Sequence, residues 1–273
     1  MDLTIELAEL TRGSDREAML RASESLGIPR LLIRRLRARA AQDRLAAAET
    51  LAHFPGYAHE AVRALDDRNP DVRLGAALAL ARHEEGPAPA EIVRKLRPGS
   101  EEHSLLLVSL MRDLADRDPA AIEALIFDST AEEETKLAAI DALASLGYAH
   151  AQLLAYVAQE AWSNPTRHAR VLRALGRTAH PAARIAIGDG LDSEDTIVRA
   201  AAAEAAANAR MVEMTDKLGA LLDDSDWRVR FNSGQALLKL GPAGMEMMQA
   251  RAESRDALAS EAARIMLAEA GRT

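Results

Sequence analysis

The stretch Asp224-Ser-Asp-Trp-Arg-Val-Arg-Phe-Asn-Ser-Gly-Gln-Ala-Leu-Leu-Lys-Leu-Gly-Pro242 holds one whole structural unit. An acidic turn comes first, then Val229-Arg230, small residues, a Leu stripe and a Gly-Pro stop. Asp, Asn or Ser before an apolar stripe can cap free helix N–H groups, and Gly-Pro ends a helix because proline cannot continue it. Counted from Val229 as zero, the positions +4, +7, +8 and +11 are Ser233, Ala236, Leu237 and Leu240, the spacing of one buried helix face.

The same frame recurs outward from this stretch. Asn69-Pro-Asp-Val-Arg and Asp192-Ser-Glu-Asp-Thr-Ile-Val-Arg carry it clearly, and the segments starting at Asn164 and Thr135 carry it with other residues at zero. Position zero then falls at Val229, Val198, His168, Thr135, His103 and Val72, with spacings of 31, 30, 33, 32 and 31. Extended to both ends, the frame reaches Asp43, Asp15 and Ala257. A period in this range is the mark of a stacked repeat, each unit being a pair of helices that cannot bury its apolar face alone. The expected fold is all-α, a right-handed α-α superhelix of about nine helix pairs, and residues 1–273 read as a single solenoid domain with no Gly/Ser-rich linker.

The Val-Arg pair after an acidic turn, with Leu-Gly closing the second helix, resembles the short HEAT repeat, also called the phycobilin-lyase-type HEAT repeat. The resemblance implies a HEAT/ARM-type solenoid. It also implies that Arg73, Arg199 and Arg230 join a structural ladder with the turn acids Asp67, Asp192 and Asp224.

Composition agrees with helices. Hydrophobic residues are 48% but aromatic residues 3%, so Ala and Leu must build the core by close helix approach. A net charge of −8 disfavours a general grip on nucleic acid. With no cysteine, disulfides and thiolate chemistry are excluded. Met1–Arg12 does not read as a secretory signal and no apolar run is long enough to span a membrane, so a cytoplasmic location is expected.

Catalytic motifs are sparse. His59-Glu60 and His83-Glu84 are similar to the metal-binding pairs of the helical-repeat deoxyhypusine hydroxylases, but their register differs: the family's positions hold Leu74-Gly75 and Phe231-Asn232 in this chain. Eight aromatic residues leave little to hold a tetrapyrrole, as bilin lyases do, and a helical-repeat DNA glycosylase would need a basic face. Gly188-Asp-Gly190 reads as a helix end. No cofactor is expected. The other histidines, His53, His103, His150, His168 and His180, lack ligand spacing and read as helix-end or packing residues.

The expected function is a non-catalytic scaffold or adaptor that binds a protein or peptide on the concave face, which second helices line in the resembled family. The alternative is an enzyme, or enzyme subunit, of the HEAT-like lyase type with a concave-face site that no local motif reveals. Positions +2, +3, +6 and +10 form the stripe off the buried face. They select Leu74, Leu78, Arg82, Leu105, Leu106, Ser109, Asp113, Leu137 and Asp141, which read as greasy. Arg170, Glu204, Asn208, Phe231, Asn232, Gln235 and Lys239 continue it as a polar half. Trp227, just before Val229, is the hot-spot candidate, whereas Trp162 reads as packed at a helix end. Arg30, Arg34, Arg35, Arg37 and Arg39, with Arg44 beyond, form a basic patch opposed by Asp43 alone. Self-association through the Met-rich C-terminal region is a further expectation.

Overall fold

The computed structural model describes residues 14–54, 56–82, 86–96, 104–178, 180–255 and 257–271, without the side chains of Arg16, Ser104, Tyr148 and Trp162. Among these residues seventeen α-helices and no strands occur. The fold is an α-solenoid of stacked helix pairs, as the period predicts. Its contacts group into two compact units, one ending at Ala139 and the other starting at Ile140.

In the first unit the second helices of successive pairs are α1 (Ser14–Ser25), α3 (Ala41–Ala52), α5 (Pro70–Ala81) and α7 (Ser104–Arg117). They alternate with α2 (Ile28–Arg35), the short α4 (Ala58–Ala61), α6 (Pro89–Leu96) and α8 (Pro119–Phe127). Helices α3, α5 and α7 lie side by side in one layer, and α6 packs on α8 in the other. Helix α9 (Glu133–Ser145) carries the boundary between the units.

The second unit continues with α10 (Ala151–Glu160), α11 (Pro165–Thr178), α12 (Ala183–Leu191), α13 (Thr196–Asn208), α14 (Thr215–Ala220), α15 (Trp227–Lys239), α16 (Pro242–Ala252) and α17 (Ala257–Glu269). Here α11, α13 and α15 form one layer, while α10 packs on α12 and α14 on α16 in the other.

Local chemistry sets these boundaries. Asn69 accepts hydrogen bonds from the N–H groups of Asp71 and Val72, Asp195 from those of Ile197 and Val198, and Asp226 from that of Arg228. Each is an N-cap three residues before zero. Gly27, Gly147 and Gly241 take positive φ at helix junctions, a conformation that any side chain would strain.

The frame holds even where its residues look wrong. His168 and Thr135 sit at zero and are buried, like Val72, Val198 and Val229. Around Asp43, the +4, +7, +8 and +11 residues Ala47, Thr50, Leu51 and Phe54 are all buried. Both extensions need correcting: Asp15 at zero, Ala22 at +7 and Leu26 at +11 are exposed, and at the other end Ala257 is exposed while the buried set Ala259, Ala263, Met266 and Leu267 puts zero at Ala259.

The arginine ladder exists with a different register from the one the resemblance implies. Arg44, Arg73, Arg199 and Arg230, all at +1, each donate Nη1–H to two backbone carbonyls of their own turn: Ala38 and Arg39, Asp67 and Arg68, Ser193 and Glu194, Asp224 and Ser225. The carboxylate comes from the following repeat. Arg44 grips Asp67 at 2.7 and 2.8 Å, and Arg199 grips Asp224 at 2.7 and 3.0 Å. Asp192 is held by Lys217 instead. Arg73 donates Nε–H to the Leu96 carbonyl, because the position equivalent to Asp67 in the next repeat is Pro98. Arg44, Arg73 and Arg199 thus tie their own turns to the next repeat.

Candidate functional site

Two of the stripe's leucines are buried, and most of its charged residues are paired. Leu74 is 6% exposed and Leu137 is 7% exposed, so neither is available to a partner. The cause at Leu74 is close helix approach: Gly75 lacks a Cβ, and one built there would stand 2.1 Å from Leu45 Cδ1, so α3 closes over this part of α5. Leu137 lies in a turn, Leu137 to Ile140, that is buried all round its circumference.

The stripe's charges are largely spent on one another. Arg82 pairs with Asp113 at 3.0 Å between successive repeats of the first unit. In the second unit Asp141 is clamped by both Arg170 and Arg177, and Glu204 takes Arg173 at 2.9 Å. Asn232 donates its Nδ2–H to the Ala200 carbonyl at 3.1 Å. These residues sew neighbouring second helices together. Asn208 and Lys239 are exposed, while Leu78, Ser109 and Gln235 are half-buried. Leu105 and Leu106 are exposed, as the frame requires.

A cleft of about 250 Å³ opens at the last two second helices. From α15 it takes Trp227 and Phe231, one turn apart, and from α17 Leu258 and Ile265, two turns apart. Trp227 is 60% exposed, Ile265 51%, Phe231 44% and Leu258 43%, a cluster of large apolar side chains facing water. Its floor is Met266, buried against α15 because residue 234 is glycine: a Cβ there would stand 2.8 Å from Met266 Cγ. Arg230 and Glu261 add one charge of each sign to the walls. Trp227 is oriented by the Arg228 guanidinium, 5.3 Å from its ring centroid.

Trp227 and Phe231 are therefore among the sequence-selected residues that meet in one place; Leu258, Glu261, Ala262, Ile265 and Met266 were missed. The cause is the two-residue error at the C-terminal frame. With zero at Ala259, Glu261, Ala262 and Ile265 fall on the +2, +3 and +6 stripe.

Of the basic patch, Arg30, Arg34, Arg37 and Arg39 are exposed. Arg35 is paired with Asp43 at 2.7 Å, and Arg44 is buried in the ladder, so both leave the group of free cations. His59 Nε2 stands 3.5 Å from Glu60, whose carboxylate Arg63 engages at 2.7 Å. His180 Nδ1 accepts the Ala182 N–H, a helix-end role. His168 is buried, and burial pushes its pKa down from 6.5 against the pull of Asp189 and Asp195. No group of three or more His, Asp or Glu side chains placed for a metal occurs among the described residues. His83, Glu84, His103, residues 1–13 and the side chain of Trp162 lie outside the described residues.

A family model of HEAT repeats matches residues 158–238 and 186–268. The crystal structure of Kap121p is similar at 13% identity and a TM-score of 0.51, over 94% of this chain and 36% of that one. This chain thus spans about a third of Kap121p, and the likeness is one of fold. Human deoxyhypusine hydroxylase in complex with glycerol aligns at 16% identity over 99% of this chain and 98% of its own, with a TM-score of 0.31. An engineered protein aligns at 18% identity over 88% of this chain and 94% of its own, with a TM-score of 0.28. No curated protein matches.

Proposed function

We propose that this HEAT-repeat protein is a non-catalytic interaction scaffold, and that the cleft between α15 and α17 holds a segment of a partner protein. The observation that carries the reading is the exposed quartet Trp227, Phe231, Leu258 and Ile265 around a buried methionine floor. Exposed apolar residues scattered singly are ordinary, but a contiguous cluster marks an interaction site. Tryptophan on such a patch is the residue type most often found to dominate binding.

Size separates peptide from substrate. About 250 Å³ falls below the roughly 300 to 1,000 Å³ of small-molecule sites, and suits one or two bulky side chains of an amphipathic helix. The mutual pairing along Arg82, Asp113, Asp141, Arg170 and Glu204 leaves these groups little part in recognition, so specificity is assigned to the cleft. Leu105 and Leu106 are kept as a secondary contact. The repeat frame crosses the boundary at Ala139 without a linker, which supports one domain over residues 1–273.

The test is affinity capture with the wild-type chain, a Trp227→Ala/Ile265→Glu variant and a control altered at the remote exposed Tyr156. A protein captured by wild type and control but lost from the cleft variant, with cooperative melting kept, is the expected result. Equal capture by all three removes the cleft from the reading.

A further inference from the structure

The N-terminal end of the first unit carries a second surface with different chemistry. Helix α2 is pinned on one side by buried Pro29 and Leu32. On the other side stand Leu26, Arg30, Leu31, Arg34 and Arg37, with Leu26 77% exposed and Leu31 52% exposed. Arg30, Leu31, Arg34 and Arg37 fall on one side of α2 and its C-terminal turn, and Leu26 flanks them across Gly27, whose positive φ of 79° separates α2 from α1. Arg39 lies just beyond it, also exposed.

The side chains of these four arginines hold no ion-pair partner among the described residues, whereas four acids of the first unit are taken by other cations. Asp43 holds Arg35, Glu60 holds Arg63, Asp66 holds Lys95 and Asp67 holds Arg44. A chain of net charge −8 therefore presents a local block of uncompensated positive charge interleaved with exposed leucines. Guanidinium groups match phosphate oxygens in a planar, two-pronged geometry. Leucines add nothing against a sugar-phosphate backbone but gain burial at the boundary between headgroups and acyl chains. A cavity of about 190 Å³ lies beside Arg37, lined also by Ile33, Leu36, Arg44, Arg63, Ala64 and Asp67, but Arg30, Leu31 and Arg34 stand outside it, and a bilayer surface requires no complementary shape.

We infer that the Leu26–Arg39 face docks on an anionic lipid bilayer, with Arg30, Arg34 and Arg37 at the headgroups and Leu26 and Leu31 below them. This surface is independent of the cleft at α15 and α17, and its failure leaves that reading untouched. The experiment is co-sedimentation of the full chain with vesicles of phosphatidylcholine alone or mixed with phosphatidylserine, at low and high salt. Wild type sediments with the anionic vesicles only, and less at high salt. An Arg30→Gln/Arg34→Gln/Arg37→Gln variant loses about a hundredfold in partitioning, the effect of removing three charges at an anionic surface. A Leu31→Ser variant with the arginines intact also binds more weakly, which a purely ionic contact would not show.

No sedimentation with anionic vesicles, or equal sedimentation of the triple variant, overturns the inference. Binding of polyglutamate without vesicle binding overturns it in favour of an acidic protein segment. Vesicle binding that emerges only after Asp2→Asn/Glu6→Gln/Glu9→Gln overturns it too, since the patch would then be satisfied within the chain.

Discussion

Arg199 and Asp224 stand on successive repeats, 25 residues apart, and meet in a two-armed ion pair with Nε to Oδ2 at 2.7 Å and Nη2 to Oδ1 at 3.0 Å. Both side chains are largely buried, and Asp224 also accepts the Asp226 N–H. Burial raises the Asp224 pKa, yet the Arg199 hydrogen bond and the Asp226 N–H outweigh it and leave the carboxyl below its ordinary 3.8. Removing the acid would strand a guanidinium between two turns. Asp224→Ala is expected to cost about 3 kcal/mol in urea unfolding, and more than Arg199→Met/Asp224→Leu, which removes both charges together. Equal losses would mean that the pair contributes only its packing.

Asp67 makes the same junction in the first unit and supplies a pH test. The Arg44 hydrogen bonds hold its carboxyl below 3.8 in the folded chain, against the opposing effect of burial. Its contribution to stability is thus present above pH 3.8 and is lost as pH falls from there through the folded value. Asp67→Asn should flatten the slope of stability against pH in that acid range and leave the slope near neutrality unchanged, as followed by helical circular dichroism during denaturant titrations.

His168 acts at a milder pH. Burial favours its neutral form, so the folded pKa lies below 6.5 and the unfolded chain binds the proton more readily. Stability is complete above pH 6.5 and falls as pH drops below it. His168→Leu, an aliphatic residue like those at zero elsewhere, should remove this loss between neutrality and pH 5. A wild-type melting temperature that is flat across that range would contradict it.

Gly176 sets two effects against each other. Alanine in mid-helix ordinarily gains about 1 kcal/mol over glycine. Here a Cβ would stand 2.6 Å from Ala205 Cα and 2.8 Å from its carbonyl oxygen, backbone atoms that cannot rotate away. The clash wins: Gly176→Ala is expected to lower stability by about 2 kcal/mol, because α11 must move off α13. A gain in melting temperature would show that the two helices are farther apart than described.

Ser233 offers the opposite sign. Its hydroxyl is buried with no hydrogen-bond partner, at the +4 position where Ala76, Ala139 and Ala202 stand in other repeats. Ser233→Ala removes an unsatisfied polar group without opening space for more than one atom, and should raise stability by about 1 kcal/mol in thermal or urea unfolding.

Much of the second-helix geometry is written in local pattern. The zero, +4 and +8 residues are buried at His168 and Thr135 as well as at the valines, because a helix with one apolar stripe has one way to hide it. The candidate site was legible only in part. Trp227 and Phe231 follow from their own repeat, but Leu258 and Ile265 depend on a zero at Ala259, and a two-residue error turns a helix by about half a revolution.

What the sequence by itself determined is the period, the caps, the helix stops and the buried stripe, all of which arise from residues within one turn or two of each other. Which carboxylate each ladder arginine grips, which stripe leucines remain open and which charges cancel were decided by tertiary structure. Arg44 reaches Asp67 rather than an acid of its own turn, and Gly75 lets Leu45 of α3 come close to α5, through the distance between neighbouring repeats. That distance is fixed by side chains from both helices at once, so no single repeat encodes it.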